Sequence, residues 1–420
     1  MLLKPTANGQ AKSDELLEQL FLKNNDSTVQ KVANNPDRYR CQVIYTQINR
    51  NKDNIPSFKN YYFNYNPDNY FNPASMVKMP LAFLALEKLN AMNVKSVNKH
   101  TPILFDSSYA GQKTLYTDST AKSRLPSIAH FIKKAFLISD NDAYNRLYQF
   151  VGQQTINRQL HNKGYDDARI TRQFMGFTDE QNRHTNPVRF IKKNGKIIYT
   201  QRAAYNKDSF DYRHNILIGK AHYNMNDILI NEPFNFTRHN NLSLEDFQQI
   251  LQSVLFPSSV KDSRRFNLST DDYNFLYRYL SQFPSETSYP KHDTSRFYDS
   301  YVKFFFRNKT HKMPDNIRVF NKVGWAYGFI TDVSYVVDYQ NKVEYMLAAT
   351  LYVNSDDILN DNKYDYETIG WPFLYELGQS VYQYELKRER TFKPNLSRFE
   401  INYEKRDPND SRPAIFEADN

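Results

Sequence analysis

The sequence predicts an α+β protein: a five-stranded antiparallel sheet assembled from both ends of the chain, flanked by terminal helices, with a helical lobe from its middle. Two observations carry this. Stretches rich in aromatic and β-branched residues pair up at 38–65 and again at 318–353. Between them, apolar residues recur mainly at helical spacing, and runs of strands at both ends with helices inside suggest one sheet closed by both termini.

Taken in order, residues 1–13 are polar and read as a loose segment. Asp14 offers an N-cap to a short helix with Leu16, Leu17, Leu20 and Phe21 on one stripe. Arg38–Asn49 and Ser57–Tyr65 form a strand pair around Lys52-Asp53-Asn54. Pro73 to Leu89 is a helix apolar nearly all round, hence buried. Pro126 opens a helix carrying Ile128, Phe131, Ile132, Ala135 and Phe136, and another runs from about Thr155 to a stop near Gly164. Val188–Lys193 and Lys196–Thr200 flank Asn194-Gly195, the pair a type I′ hairpin turn favours. Helices return at Ser243–Leu255 and Thr270–Gln282, and three strands follow at Arg318–Trp325, Phe329–Tyr339 and Val343–Val353. Glu367–Glu389 closes the fold as a helix. The predicted division is an α/β lobe from 14–70 and 242–390, a helical lobe from 71–241 with a hairpin insertion at 188–241, and a charged tail at 391–420.

Composition narrows the function classes. With 40% hydrophobic and 24% charged positions the 420-residue chain is globular. No run approaches the roughly 18 apolar residues of a membrane helix, and the opening segment shows no apolar core of a secretory leader. A single cysteine, Cys41, excludes a disulfide framework and reads as a small buried hydrophobe. The net charge of +9 is spread along the chain, so it reads as a solvated surface and not as a nucleic-acid footprint. Nine histidines lie dispersed, and no metal or cofactor signature is present: GxGxxG, GxxxxGK[ST], HExxH, CxxC and GxSxG are all missing.

What remains is Ser75-Met76-Val77-Lys78. S-x-x-K occurs six times, and only this one opens a buried helix. Positions i and i+3 share a helix face, which sets the Lys78 amine beside the Ser75 hydroxyl. Burial disfavours the charged amine and so lets it act as a base, and the helix start offers N–H groups to an oxyanion. Pro80 cannot donate to the carbonyl of Met76, so the turn that carries Ser75 should be distorted. Ser139-Asp140-Asn141 occurs once, between two helices. Lys322-Val323-Gly324 lies on a strand expected near the middle of the sheet, where a lysine must face a site and a glycine permits close approach.

These three elements, in this order, resemble the S-x-x-K, S-D-N and K-T-G signature of the serine β-lactamase and penicillin-binding protein superfamily, most nearly its class A β-lactamase-like serine hydrolases. His161-Asn162-Lys163-Gly164 and Thr185-Asn186-Pro187 are similar to family segments around the Ω loop, and the resemblance covers 14–189 and 242–389 with loop differences. It implies a β-lactamase-like fold, Ser75 as acylated nucleophile, Lys78 as its base and Ser139 as proton relay to the leaving group. Asn141 would bind the substrate amide and Lys78, Lys322 would supply positive potential, Gly324 would allow close approach, and the N–H groups of Ser75 and Trp325 would hold the oxyanion. Tyr109 would be an aromatic wall residue. No cofactor is implied. The substrate would be a small molecule or peptide, a β-lactam or a cell-wall fragment, and the location the periplasm or cell envelope, with possible cell-wall association.

Two departures qualify the carry-over. After Arg172 there is no E-x-x-x-N, so the base that activates deacylating water in class A enzymes is missing unless Asp179 or Glu180 replaces it. Val323 stands where the family has a hydroxyl that binds the substrate carboxylate. The expectation is a serine hydrolase working through an acyl-enzyme. The alternatives are a genuine β-lactamase with atypical deacylation and a non-catalytic binding protein on the same fold.

Overall fold

The structure, a computed structural model, describes residues 11–212 and 215–417. Its centre is the antiparallel sheet, made of β1 (Gln42–Arg50), β2 (Pro56–Phe63), β3 (Ile317–Ala326), β4 (Phe329–Asp338) and β5 (Val343–Tyr352), in the order β3-β4-β5-β1-β2. Chain ends meet where β1 pairs with β5, Val43 opposite Ala349 and Tyr45 opposite Leu347. β3 is thus an edge strand and not a central one; Lys322 and Gly324 are buried there because the turn that carries Ser75 packs on that edge.

Side chains alternate across β5, as the two-residue period of a strand demands. Tyr345, Leu347 and Ala349 face a core layer completed by α1 (Glu15–Lys23), α2 (Ser27–Ala33) and α9 (Trp371–Lys387), through Leu17, Phe21, Val29, Phe373 and Val381. Met346 and Ala348 face the other layer, formed with α3 (Lys78–Met92), α4 (Ile128–Leu137), α5 (Asn141–Val151), α6 (Gln153–Asn162), α7 (Leu244–Leu255) and α8 (Thr270–Ser281). Cys41 is buried with the first layer, its thiol pushed up by burial.

Local signals resolved in instructive ways. Asp14 precedes α1, but its carboxylate accepts the Tyr62 N–H at 2.7 Å and makes no side-chain cap, joining helix to sheet edge instead. The loose segment expected at 1–13 falls mostly outside the described residues, and Lys12 pairs with Tyr65 in a two-way backbone bridge. Val188–Ile191 and Ile197–Gln201 do form a hairpin, with Ile103–Phe105 as third strand. Its turn has a left-handed residue only at Gly195, with Lys192 N–H donating to Lys196 O and Gly195 N–H to Lys192 O, so the extra residue makes a bulge in place of a type I′ turn.

The 391–420 segment is a correction to the sequence reading. Through 417 it runs along the body and does not hang free. Leu396 and Phe399 are each 1% exposed, and the Phe399 ring lies 4.9 Å from Tyr335 and 5.3 Å from Phe320. Arg406 donates to the carbonyls of Pro284, Thr287 and His292, and Glu404 accepts from Lys133 and Tyr279. Leu396 and Phe399 are two buried anchors in a mostly polar and charged segment, too few to shift an averaged composition yet enough to dock the strap.

Candidate active site

Ser75 lies in a 3₁₀ turn, Ala74–Val77, that runs straight into α3. Pro80 explains the tighter turn, since it cannot supply the α-helical bond to Met76. Ala74 takes a left-handed φ of 43°, and Asn72 Oδ1 holds that conformation by accepting the Ala74 N–H at 2.8 Å. The turn rests directly on β3. A Cβ at position 324 would come within 2.5 Å of Pro73 O and 3.0 Å of Ser75 N, so the strand must carry glycine there.

Lys78 is fully buried and its Nζ is surrounded by acceptors: Ser75 Oγ at 2.8 Å, Asn141 Oδ1 at 2.7 Å, the Ser139 carbonyl, and Ser139 Oγ at 3.3 Å. Burial lowers its pKa to about 7, while the nearby Asp140 carboxylate opposes the fall. Lys322 Nζ donates to Ser139 Oγ at 2.9 Å and to its neighbour's carbonyl, Val323 O, at 2.7 Å. Burial, then repulsion from Lys78, lower the Lys322 pKa well below that of a free lysine. Ser139 is held between the two amines in a left-handed conformation, φ 66°, at the entry to α5, where Asp140 caps the helix by accepting the Ala143 N–H. Ser75, Lys78, Ser139, Asn141, Lys322, Gly324 and Trp325 are therefore brought to one place by a turn, an interhelix loop and a sheet edge.

Tyr109 is not. Its ring stacks on His184 at 3.6 Å, and it does not line the cleft at Ser75; an abundance of aromatic residues made its position unreadable from sequence. Val323 also points away: it is fully buried in the layer under the terminal helices. Asp179 pairs with Arg238 at 2.9 Å and Glu180 with His184 at 3.2 Å, both exposed, and neither lines the cleft. Where the loop approaches Lys78, it presents the Phe174 ring, 5.1 Å from Nζ, clamped by Tyr144 stacking at 4.4 Å and by the Phe174 N–H bond to Asn145 Oδ1.

The cleft opens on both sides of Ser75. One side, about 380 Å³, is lined by Arg172, Gln173, Phe174, His239, Asn240 and Tyr327 as well as Ser75, Asn141 and Trp325. The other, about 210 Å³, is lined by Ser139, Arg296, Phe297 and Tyr301. Beneath Lys322 lies a buried polar layer that sequence reasoning missed. Lys303 donates to Asn321 Oδ1 at 2.6 Å, Asn321 to Asp332 Oδ1 at 2.9 Å, and Ser334 to the same carboxylate at 2.7 Å. The signal was present: Asn321, Asp332 and Ser334 are polar residues in strands rich in apolar ones. No group of three or more metal-ligating side chains occurs among the described residues, and no helix there is long and apolar enough to cross a membrane.

A serine hydroxyl against a buried lysine, closed by a second lysine, a second serine and an asparagine, lies beside a five-stranded sheet and a helical lobe of β-lactamase-like architecture. Residues 26–221 match the model of the β-lactamase enzyme family. That match, over less than half of the chain, supports the resemblance to the serine β-lactamase and penicillin-binding protein superfamily. It is similar to a β-lactamase of Sphaerobacter thermophilus (14% identity, 81% of this chain and 89% of that one, TM-score 0.43). It is also similar to the chromosome-encoded β-lactamase of Vibrio parahaemolyticus (11%, 86% and 99%, 0.48) and to a β-lactamase of Francisella tularensis (14%, 84% and 97%, 0.47). No curated protein matches the sequence.

Proposed function

We propose that this chain is a serine hydrolase that forms an acyl-enzyme with an amide or ester. The observation that carries the reading is the 2.8 Å contact between Ser75 Oγ and an Nζ of Lys78 whose pKa is lowered to about 7. In the neutral form that amine takes the Ser75 proton as Oγ attacks the substrate carbonyl. The N–H groups of Ser75 and Trp325 hold the oxyanion. As the tetrahedral adduct collapses, the C–N or C–O bond breaks and the leaving atom takes a proton from Ser139 Oγ. The Lys322 contact orients Ser139 for this step, and Lys78 replenishes the proton. Asn141 holds Lys78 and donates its amide to the substrate. Water then releases the acyl group and restores Ser75.

Intact mass after exposure to a penicillin or a fluorophosphonate tests this directly. A stable adduct on Ser75, absent in Ser75→Ala, supports the reading. Rapid return to the unmodified mass would make the chain a true β-lactamase, and no adduct from either reagent would leave a binding protein on this fold.

A further inference from the structure

The larger side of the cleft holds a cation that no carboxylate answers. Arg172 lines it together with Ser75 and Asn141, and among the described residues it forms no ion pair. Asp179 and Glu180, the loop's own acids, are engaged with Arg238 and His184. Among the described residues one side-chain hydrogen bond fixes the guanidinium: Nη1 donates to His239 Nε2 at 2.6 Å. His239 is buried, and burial followed by the Arg172 charge pushes its pKa to about 3, so this acceptor is neutral and leaves the positive charge whole. The backbone beneath is pinned as well, with Arg172 N–H donating to Asn240 Oδ1 at 3.1 Å and its carbonyl accepting the Tyr144 hydroxyl at 2.7 Å. Beside it Gln173 lines the same side of the cleft, and its buried Nε2 has no hydrogen-bond partner among the described residues.

The half of the substrate that lies here follows from the position of Ser139. Ser139 lines the smaller side, so a proton donated by it serves a leaving group there, and the larger side takes the acyl portion. We propose that Arg172 binds an anionic group on the acyl half of the substrate, so that the preferred acyl donor carries a carboxylate on that half. This rests on the acyl-transfer reading. It gives the cleft a carboxylate anchor on the loop, which β3 does not offer because Val323 lies in the core. A half-buried guanidinium with free donors is suited to bidentate carboxylate recognition.

Benzylpenicillin and its α-carboxyl analogue, carbenicillin, differ only by a carboxylate on the acyl side chain, and intact mass against time gives the second-order rate of Ser75 acylation by each. The wild-type chain should acylate faster with carbenicillin, by roughly tenfold for one charge-assisted hydrogen-bonded pair. Arg172→Gln should bring the ratio close to one, and Arg172→Lys should keep part of the preference. A wild-type ratio at or below one, or an unchanged ratio in Arg172→Gln, would overturn the proposal. If neither penicillin labels Ser75, the acyl-transfer reading fails on its own, and equilibrium binding of the same two compounds decides the arginine: tighter carbenicillin binding lost in Arg172→Gln supports it, and equal affinities refute it.

Discussion

Lys78 shows how an ordinary side chain becomes a base. An amine that is fully buried and ringed by neutral acceptors loses hydration that those acceptors replace only in part, so its proton leaves near pH 7. The sign for catalysis follows. Below that value the amine is charged and cannot accept the Ser75 proton; above it the base is free. The acylation rate should therefore rise about tenfold per unit below pH 7 and flatten above it, measured as labelling rate against pH. A rate flat from pH 5 to 9 would remove Lys78 from that role. Lys78→Ala should lose nearly all labelling, as Ser75→Ala does, since residues that act as one unit lose most of the activity singly. At this scale the sequence was readable where spacing forces contact, as for Ser75 and Lys78 on one helix face. It was silent on Arg172, His239 and Phe174, whose approach to Ser75 depends on loops from distant parts of the chain. The misplacement of Tyr109 has the same origin, because a residue type alone carries no address.

At the scale of elements, the loop after Arg172 brings an aromatic ring where an acyl-enzyme needs a base. No loop carboxylate lines the cleft, so an adduct from a penicillin pulse should persist for minutes or longer. Phe174→Glu would place a carboxylate facing Lys78 and should shorten the adduct lifetime, by up to the 10²-fold or so that general-base assistance commonly supplies. Unchanged lifetime in a folded Phe174→Glu protein would show that the loop does not control deacylation. The C-terminal strap is held to the body by buried apolar anchors. Phe399 fills a space between Tyr335, Phe320 and Phe256, so Phe399→Ala should cost about 3–5 kcal/mol in denaturant melts. Helices and long strands were legible because they repeat a period over ten or more residues. The strap and the edge position of β3 were not, because one rests on two isolated anchors and the other on which strand the serine turn chooses to cover.

For the whole molecule, the sheet closed by both ends of the chain puts several buried cations into one cooperative body. Burial lowers the pKa of Lys78 and of Lys303 to about 7, and that of Lys88 to about 8. In the unfolded chain each would stay protonated to about pH 10.4, so between pH 7 and 10 the unfolded state binds more protons and stability must rise with pH. Each amine adds about 1.4 kcal/mol per pH unit while it is neutral in the fold and charged outside it. Buried histidines act lower down: His130, His239 and His292 fall to about 4, 3 and 3, so their contribution also grows with pH but is complete near pH 6.5. Above pH 10 the sign reverses, because burial raises many tyrosines, among them Tyr335 and Tyr345, and the unfolded chain then loses phenol protons first. The stability maximum should thus lie near pH 9–10 and not near neutrality, a shift that urea melts at pH 6 to 11 would reveal. Lys78→Met and Lys303→Met should each stabilise the protein most at pH 7 and less as pH approaches 10, flattening the slope. A maximum at pH 6–7 with no change of slope in either variant would show that these amines keep their protons in the fold, and would take the proposed base out of Ser75's reach at the same time.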